Sequence, residues 1–171
     1  MSKPEREFQL KALQAGAIPA ALERAERYRL LNEPAQAESI CLDILRTEPN
    51  NQQTLILLLL ALTDQFAESI VDHVKRALAL LPRLENPYHR AYYQGIILER
   101  EGRVYLRRAS PGTRYAAYGK LREAMRWYEE AEALRPAGND ESLLRWNTCA
   151  RSIMSARLEP IPIDDSTPML E

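Results

Sequence analysis

Two prolines constrain this chain more than any other residues. Pro49 and Pro82 stand 33 residues apart, and each closes a segment in which two runs of helical periodicity are joined by a short turn. A period in the low thirties with two helices per period marks helical hairpin repeats. One hairpin cannot bury its apolar face alone, so neighbours must stack. The copies cover about 18–50 and 51–83. In the first, Pro19 starts a helix in which Leu22, Ala25, Tyr28 and then Leu30 or Leu31 recur at spacings of three and four. Asn32, Glu33 and Pro34 make the turn. A second helix follows with Ala37, Ile40, Cys41, Ile44 and Leu45 on one face, and it stops at Glu48 because proline disfavours helix in the residue before it.

Composition agrees with an all-α reading. Glycine is scarce, at six residues, while alanine and leucine abound. A chain of 171 residues with 46% hydrophobic content suffices for one core and is short for two. Residues 1–157 therefore read as a single helical domain, and 158–171 as a flexible, acidic, proline-rich tail. The formal net charge of -1 gives no overall pull toward nucleic acid or membrane. Cys41 and Cys149 fall among apolar neighbours and read as buried, reduced thiols. The N-terminal stretch lacks the apolar run of a signal peptide, and Leu55 to Leu62 falls far short of the ~20 residues that span a bilayer. No membrane association and a cytoplasmic location are the expectation.

Residues 4–15, with Phe8, Leu10 and Leu13, read as a short amphipathic helix ended by Gly16. A third copy spans 87–136. It opens with Pro87, sets Ala91, Gly95 and Leu98 in register, and ends in the run Arg122 to Pro136. Its halves are separated by an insertion, about 103–119, which lengthens both helices around a loop at Ser110, Pro111 and Gly112. Asn139 or Asp140 then caps a last helix, 140–157, whose apolar face of Leu143, Leu144, Trp146, Ile153 and Met154 would cover the end of the stack.

These residues resemble the tetratricopeptide repeat family. Counting from Pro49, Ala25 and Ala37 fall on small-residue positions and Tyr28 on an aromatic one, while Cys41 stands where the family prefers an aromatic and Ile44 where it prefers a small residue. In the second copy Leu57 and Leu58 occupy the family's Leu-Gly pair and Ala61 an aromatic site, with Ile70, Val74 and Ala77 along the second helix. Gly95 matches the family's glycine, and Ala124, Tyr128, Ala131 and Pro136 match its Ala, aromatic, Ala and Pro positions. The resemblance implies a right-handed α-α superhelix with a C-terminal capping helix. It also implies a concave groove lined by the leading helices, which takes a peptide or helix from another protein.

Residue types that carry catalysis are dispersed. His73 and His89 have no third ligand nearby, and Glu129, Glu130 and Glu132 alternate with Arg126 and Arg135 as solvated helix pairs. No phosphate loop, GxSxG or HExxH motif is present. The sequence argues against an enzyme, with no catalytic residue, metal or cofactor to name. Transferred by register, the groove is Leu22, Glu26 and Arg29, then Leu55, Leu59 and Leu62, then Tyr92, Ile96 and Glu99. The run LILLLLAL makes its helix apolar all round, so something must cover it. The coverings are a partner's amphipathic helix, a second copy of the chain, its own N-terminal helix or tail, or the neighbouring helices of the stack. The groove positions lack the Lys and Asn set by which some relatives hold a terminal carboxylate.

The insertion supplies an alternative surface for an anion or nucleic acid: a basic patch of Arg103, Arg107, Arg108 and Arg114 with Tyr105, Tyr115 and Tyr118 among them. A run of charge is more often a solvated face, so nucleic acid is the lesser reading. The acidic tail is an internal counterpart of opposite sign, which could dock on the insertion or in a groove.

Overall fold

Helix is the only regular structure among the described residues, which in this computed structural model are 8–108 and 110–163. Seven α-helices follow in order: α1 (Ile18–Leu30), α2 (Pro34–Thr47), α3 (Gln52–Asp64), α4 (Ile70–Leu80), α5 (Pro87–Arg108), α6 (Pro111–Leu134) and α7 (Glu141–Ala156). The chain divides into two units, Met1–Ala61 and Leu62–Glu171, and the division falls inside α3. The sequence reading drew one domain over 1–157, with α3 inside its second repeat.

In the first unit α1 packs on α2. Ala25 and Ala37 are fully buried, along with Cys41 and Ile44. The turn between the helices closes as the sequence dictates. Asn32 takes the left-handed conformation (φ 61), the Glu33 N–H donates to the Tyr28 carbonyl at 2.8 Å, and the Asn32 N–H donates to the Arg29 carbonyl at 3.1 Å. Asparagine tolerates this conformation better than most side chains, and the paired bonds satisfy carbonyls that the end of a helix leaves open. α3 begins with Asn51 Oδ1 accepting from the Thr54 N–H at 2.9 Å and from its hydroxyl at 2.7 Å.

The expected helix over 4–15 is not found in its described part. Residues 8–14 have no regular structure, a 3-10 turn occupies Ala15–Ala17, and Phe8 and Leu10 are exposed. Residues 1–7 lie outside the described residues. A helix of about a dozen residues is marginal without a surface to pack on, and here only the half-buried Leu13 comes near one. Its carbonyl accepts from Thr47 Oγ1 at 3.0 Å, which ties the segment to the end of α2.

In the second unit α4 packs on α5, α5 along α6, and α6 on α7. The insertion does lengthen both helices of its hairpin, to 22 residues in α5 and 24 in α6, or about 33 and 36 Å. The loop is tighter than the sequence reading had it: Pro111 and Gly112 form the first turn of α6. Proline suits the first helical position because its missing N–H would have no partner there. Ser110 precedes it, and its backbone N–H donates to Thr113 Oγ1 at 3.0 Å.

Two glycines let the long helices approach. A Cβ on Gly95 would stand 2.5 Å from Tyr128 Cε1, and one on Gly102 would stand 3.2 Å from Leu121 Cγ. Opposite them lie Ala117, Leu121, Ala124, Tyr128 and Ala131, all fully buried.

α7 departs from expectation. Leu144 and Met154 are exposed, at 61% and 67%, while Ser142 and Cys149 are buried. Cys149 and Arg145 of this helix meet a charged group, described below. It ends at Arg157, which is left-handed (φ 49), with the Leu158 N–H donating to the Ile153 carbonyl at 3.0 Å. Of the tail, 158–163 has no regular structure and Leu158 is buried; Asp164, Asp165 and Glu171 lie outside the described residues.

Two substitutions test this packing. Gly95→Ala drives a methyl into a ring that cannot swing away and should cost roughly 1–3 kcal/mol, whereas Arg157→Gly removes left-handed strain and should add about 1 kcal/mol. Urea denaturation followed by circular dichroism reads both.

Candidate functional site

Glu99 is the most consequential polar residue of the second unit. α5 carries it on the face turned toward α6 and α7, where its side chain is only 1% exposed. A buried carboxylate must be paired. Its Oε2 accepts from the Tyr128 hydroxyl at 2.6 Å. Its Oε1 accepts from Arg103 Nη2 at 2.5 Å and from Arg145 Nη1 at 3.3 Å. Donors from α5, α6 and α7 thus meet on one carboxylate.

The surroundings are shaped by this charge. Burial, reinforced by the neighbouring Glu99 carboxylate, pushes the Tyr128 hydroxyl far above its ordinary value. The Cys149 thiol is pushed up to about 12 by burial and then by Glu99. Burial opposes the charge on Arg145, but Glu99 and a hydrogen bond with Tyr92 outweigh it and hold that guanidinium above its usual range. Tyr92 in turn stacks on Tyr88 with ring centroids 5.7 Å apart. Each element of this network already has a partner inside the protein. No part of it is a free acid, base or nucleophile. Among the described residues no group of three or more His, Cys, Asp or Glu side chains could hold a metal ion.

The residues placed in the groove by register fare differently. Leu22 is half-buried, Glu26 exposed and Arg29 half-buried, all on α1 in the first unit. Leu55, Leu59 and Leu62 are buried, as are Tyr92, Ile96 and Glu99. The leucine run on α3 therefore offers no exposed apolar patch: Leu57, Leu58 and Ala61 are buried with it, and only Ile56 and Leu60 are half-buried. They are buried without a second molecule, so neither a partner's helix nor a second copy is needed to cover them. Glu99, expected to set the orientation of a partner, is spent on its own arginines and tyrosine.

The basic patch is also partly spent. Arg103 is held by Glu99. Arg114 Nη2 donates to the Ala156 carbonyl at 2.5 Å and reaches the Arg157 carbonyl at 3.5 Å, closing the end of α7, where a cation is favoured by the helix dipole. Arg108 stands over the Tyr105 ring, 5.8 Å from its centroid, and Arg107 is exposed. Nearby, Lys120 pairs with Glu101 at 3.1 Å and Arg100 with Asp64 at 2.8 Å.

Sequence reasoning missed two features. Arg145 was one arginine among many, with nothing to mark it as a partner of a glutamate 46 positions away. The second feature is a cavity of about 390 Å³ lined by Ile70, Val71, Val74, Lys75 and Leu78 of α4 and by Glu101 and Tyr105 of α5. Val71 there is 81% exposed. The signal was present in the spacing of Val71, Val74 and Leu78, but the repeat register follows Ile70, Val74 and Ala77 along this helix. Of those only Ala77 is fully buried. Among the described residues no helix is long and apolar enough to cross a membrane. Compared with family models, curated proteins and solved structures, the chain matches none of them.

If the Glu99 network is what joins the three helices, Glu99→Ala should cost about 3 kcal/mol or more by leaving charged donors uncompensated, and Tyr128→Phe roughly 2 kcal/mol. Both Cys149 and Tyr128 have folded pKa values above their unfolded values, so the unfolded chain loses these protons first as pH rises. Stability should therefore be intact below pH ~9 and fall progressively above it. Guanidinium titrations from pH 7 to 11 read the slope, and Tyr128→Phe should flatten it above pH ~10.

Proposed function

We propose that this chain is a non-catalytic protein-interaction module. Its hairpins are degenerate tetratricopeptide-type repeats, with the right-handed superhelical stacking that the resemblance implies, and it serves as a scaffold or adaptor for a helix or peptide of another protein. The observation that carries the reading is how its side chains are allotted. Polar groups able to do chemistry are tied up inside, around Glu99, while large apolar side chains remain on the outer faces of several helices: Leu30 and Leu31, Val71 and Leu78, and Leu144 and Met154. An enzyme needs the reverse, with polar groups free in a pocket.

The contact of Gly95 with Tyr128 supports the repeat reading. These positions correspond to the glycine of a leading helix and the aromatic of a trailing one, and they meet although the insertion separates them in sequence. The alternative, an anion or nucleic-acid module, rests on Arg107 and Arg108, the patch cations that lie on the surface.

Affinity capture from a lysate of the source organism tests the choice, using wild type and an Arg107→Ala, Arg108→Ala variant at low and moderate salt. The expected outcome is a protein retained by both forms and little affected by salt. Retention of nucleic acid that disappears with salt and with the double variant would replace the reading with the alternative. Retention of nothing above a bead control would remove it.

A further inference from the structure

The cavity between α4 and α5 has the character of a helix-docking groove, and its chemistry specifies one class of occupant. This step rests on the reading of the chain as an interaction module. Val71, Val74 and Leu78 recur at spacings of three and four along α4, the seam by which one helix receives another. α4 turns Ala77 and Leu80 into the protein. The Val71, Val74 and Leu78 edge lies to one side of that buried stripe, with Val71 81% and Leu78 37% exposed. Tyr105 and Glu101 of α5 form the facing wall.

The rims are cationic. Lys75 lies in the position that flanks such a seam and is exposed. Arg108 stands over the Tyr105 ring. Glu101, the one carboxylate lining the cavity among the described residues, is already held by Lys120 at 3.1 Å and accepts from the Tyr105 hydroxyl at 3.3 Å. With Glu101 paired to Lys120, the charge left over around the apolar floor is positive: Lys75 in the lining and Arg108 beside the Tyr105 wall.

We infer that the α4–α5 groove binds an amphipathic helix of another protein, which seats apolar residues at a three-four spacing on Val71, Val74 and Leu78 and turns acidic residues toward Lys75 and Arg108. Alternation of apolar and acidic positions, rather than length or hydrophobicity alone, is what the groove selects.

Fluorescence anisotropy with two designed 15-residue, alanine-rich helical peptides tests this. Both carry leucines at the three-four spacing; one has glutamates flanking them and the other lysines. The glutamate peptide should saturate the wild-type protein with a Kd on the order of 100 μM or tighter. Val71→Asp and Leu78→Asp should each weaken it by roughly tenfold or more, and Lys75→Glu should reverse the preference between the peptides. All three side chains lie on the surface, so thermal melts should be unchanged. No saturation at the highest soluble concentration, an affinity indifferent to Val71→Asp, or a wild-type preference for the lysine peptide would overturn the proposal. So would a wild-type dimer in sedimentation that Val71→Asp dissolves, because the occupant would then be a second copy. A lysate protein captured equally by wild type and Val71→Asp would leave the interaction reading standing and remove this groove from it.

Discussion

The hydrogen bond from Tyr128 to Glu99 is the contact on which the second unit depends. A carboxylate without solvent is tolerated only when its charge is compensated and its oxygens are occupied. Glu99 meets both conditions by drawing on three helices, through Arg103 of α5, Tyr128 of α6 and Arg145 of α7. The bond forms only because Gly95 leaves room for the Tyr128 ring. A missing side chain on α5 thus determines where a hydroxyl on α6 can reach, and that hydroxyl secures the charge which recruits α7. The same arrangement explains the face of α7: a helix docking on a charged centre turns Arg145 and Cys149 toward it and leaves Leu144 and Met154 outside.

Such a network specifies more than it stabilises. Burying an ion pair brings little net free energy compared with apolar packing, but leaving it half-made is costly. Registers of α5 against α6 that separate Gly95 from Tyr128, or of α7 that withdraw Arg145, are penalised by an unpaired charge. The lengthened hairpin has particular need of this. Two helices of 22 and 24 residues lined with alanines would otherwise slide by a turn at small cost in apolar contact.

What was legible in the sequence follows from the range of the interactions involved. Local signals survived: Pro19 and Pro87 at helix starts, Asn32 in the turn, and helix ending before Pro49. So, for the most part, did the burial of α3: six of the eight residues from Leu55 to Leu62 are buried, with Ile56 and Leu60 half-buried. The helix expected near the N-terminus failed for lack of a packing surface, which periodicity alone cannot supply. Site residues were read least well. The groove transferred by register is mostly buried, and Arg114, read as part of a surface for partners, closes the end of α7. An arginine on a helix looks the same in sequence whether it faces water, a carboxylate or a neighbouring carbonyl.

Spending so much of the polar chemistry internally leaves the surface of this unit with a simple division of labour. Arg103, Arg114, Lys120 and Arg145 are fixed by partners within the fold, so the local excess of positive charge is carried by a few side chains such as Lys75, Arg107 and Arg108. Two of these flank the apolar edge of α4. The edge exists because α4 carries apolar residues around about half its circumference, more than α5 covers. In the proposed docking, a helix with surplus apolar arc beside an ion-paired hairpin is a surface formed beforehand. Binding there would order only the partner, which keeps the entropic cost on one side of the interface.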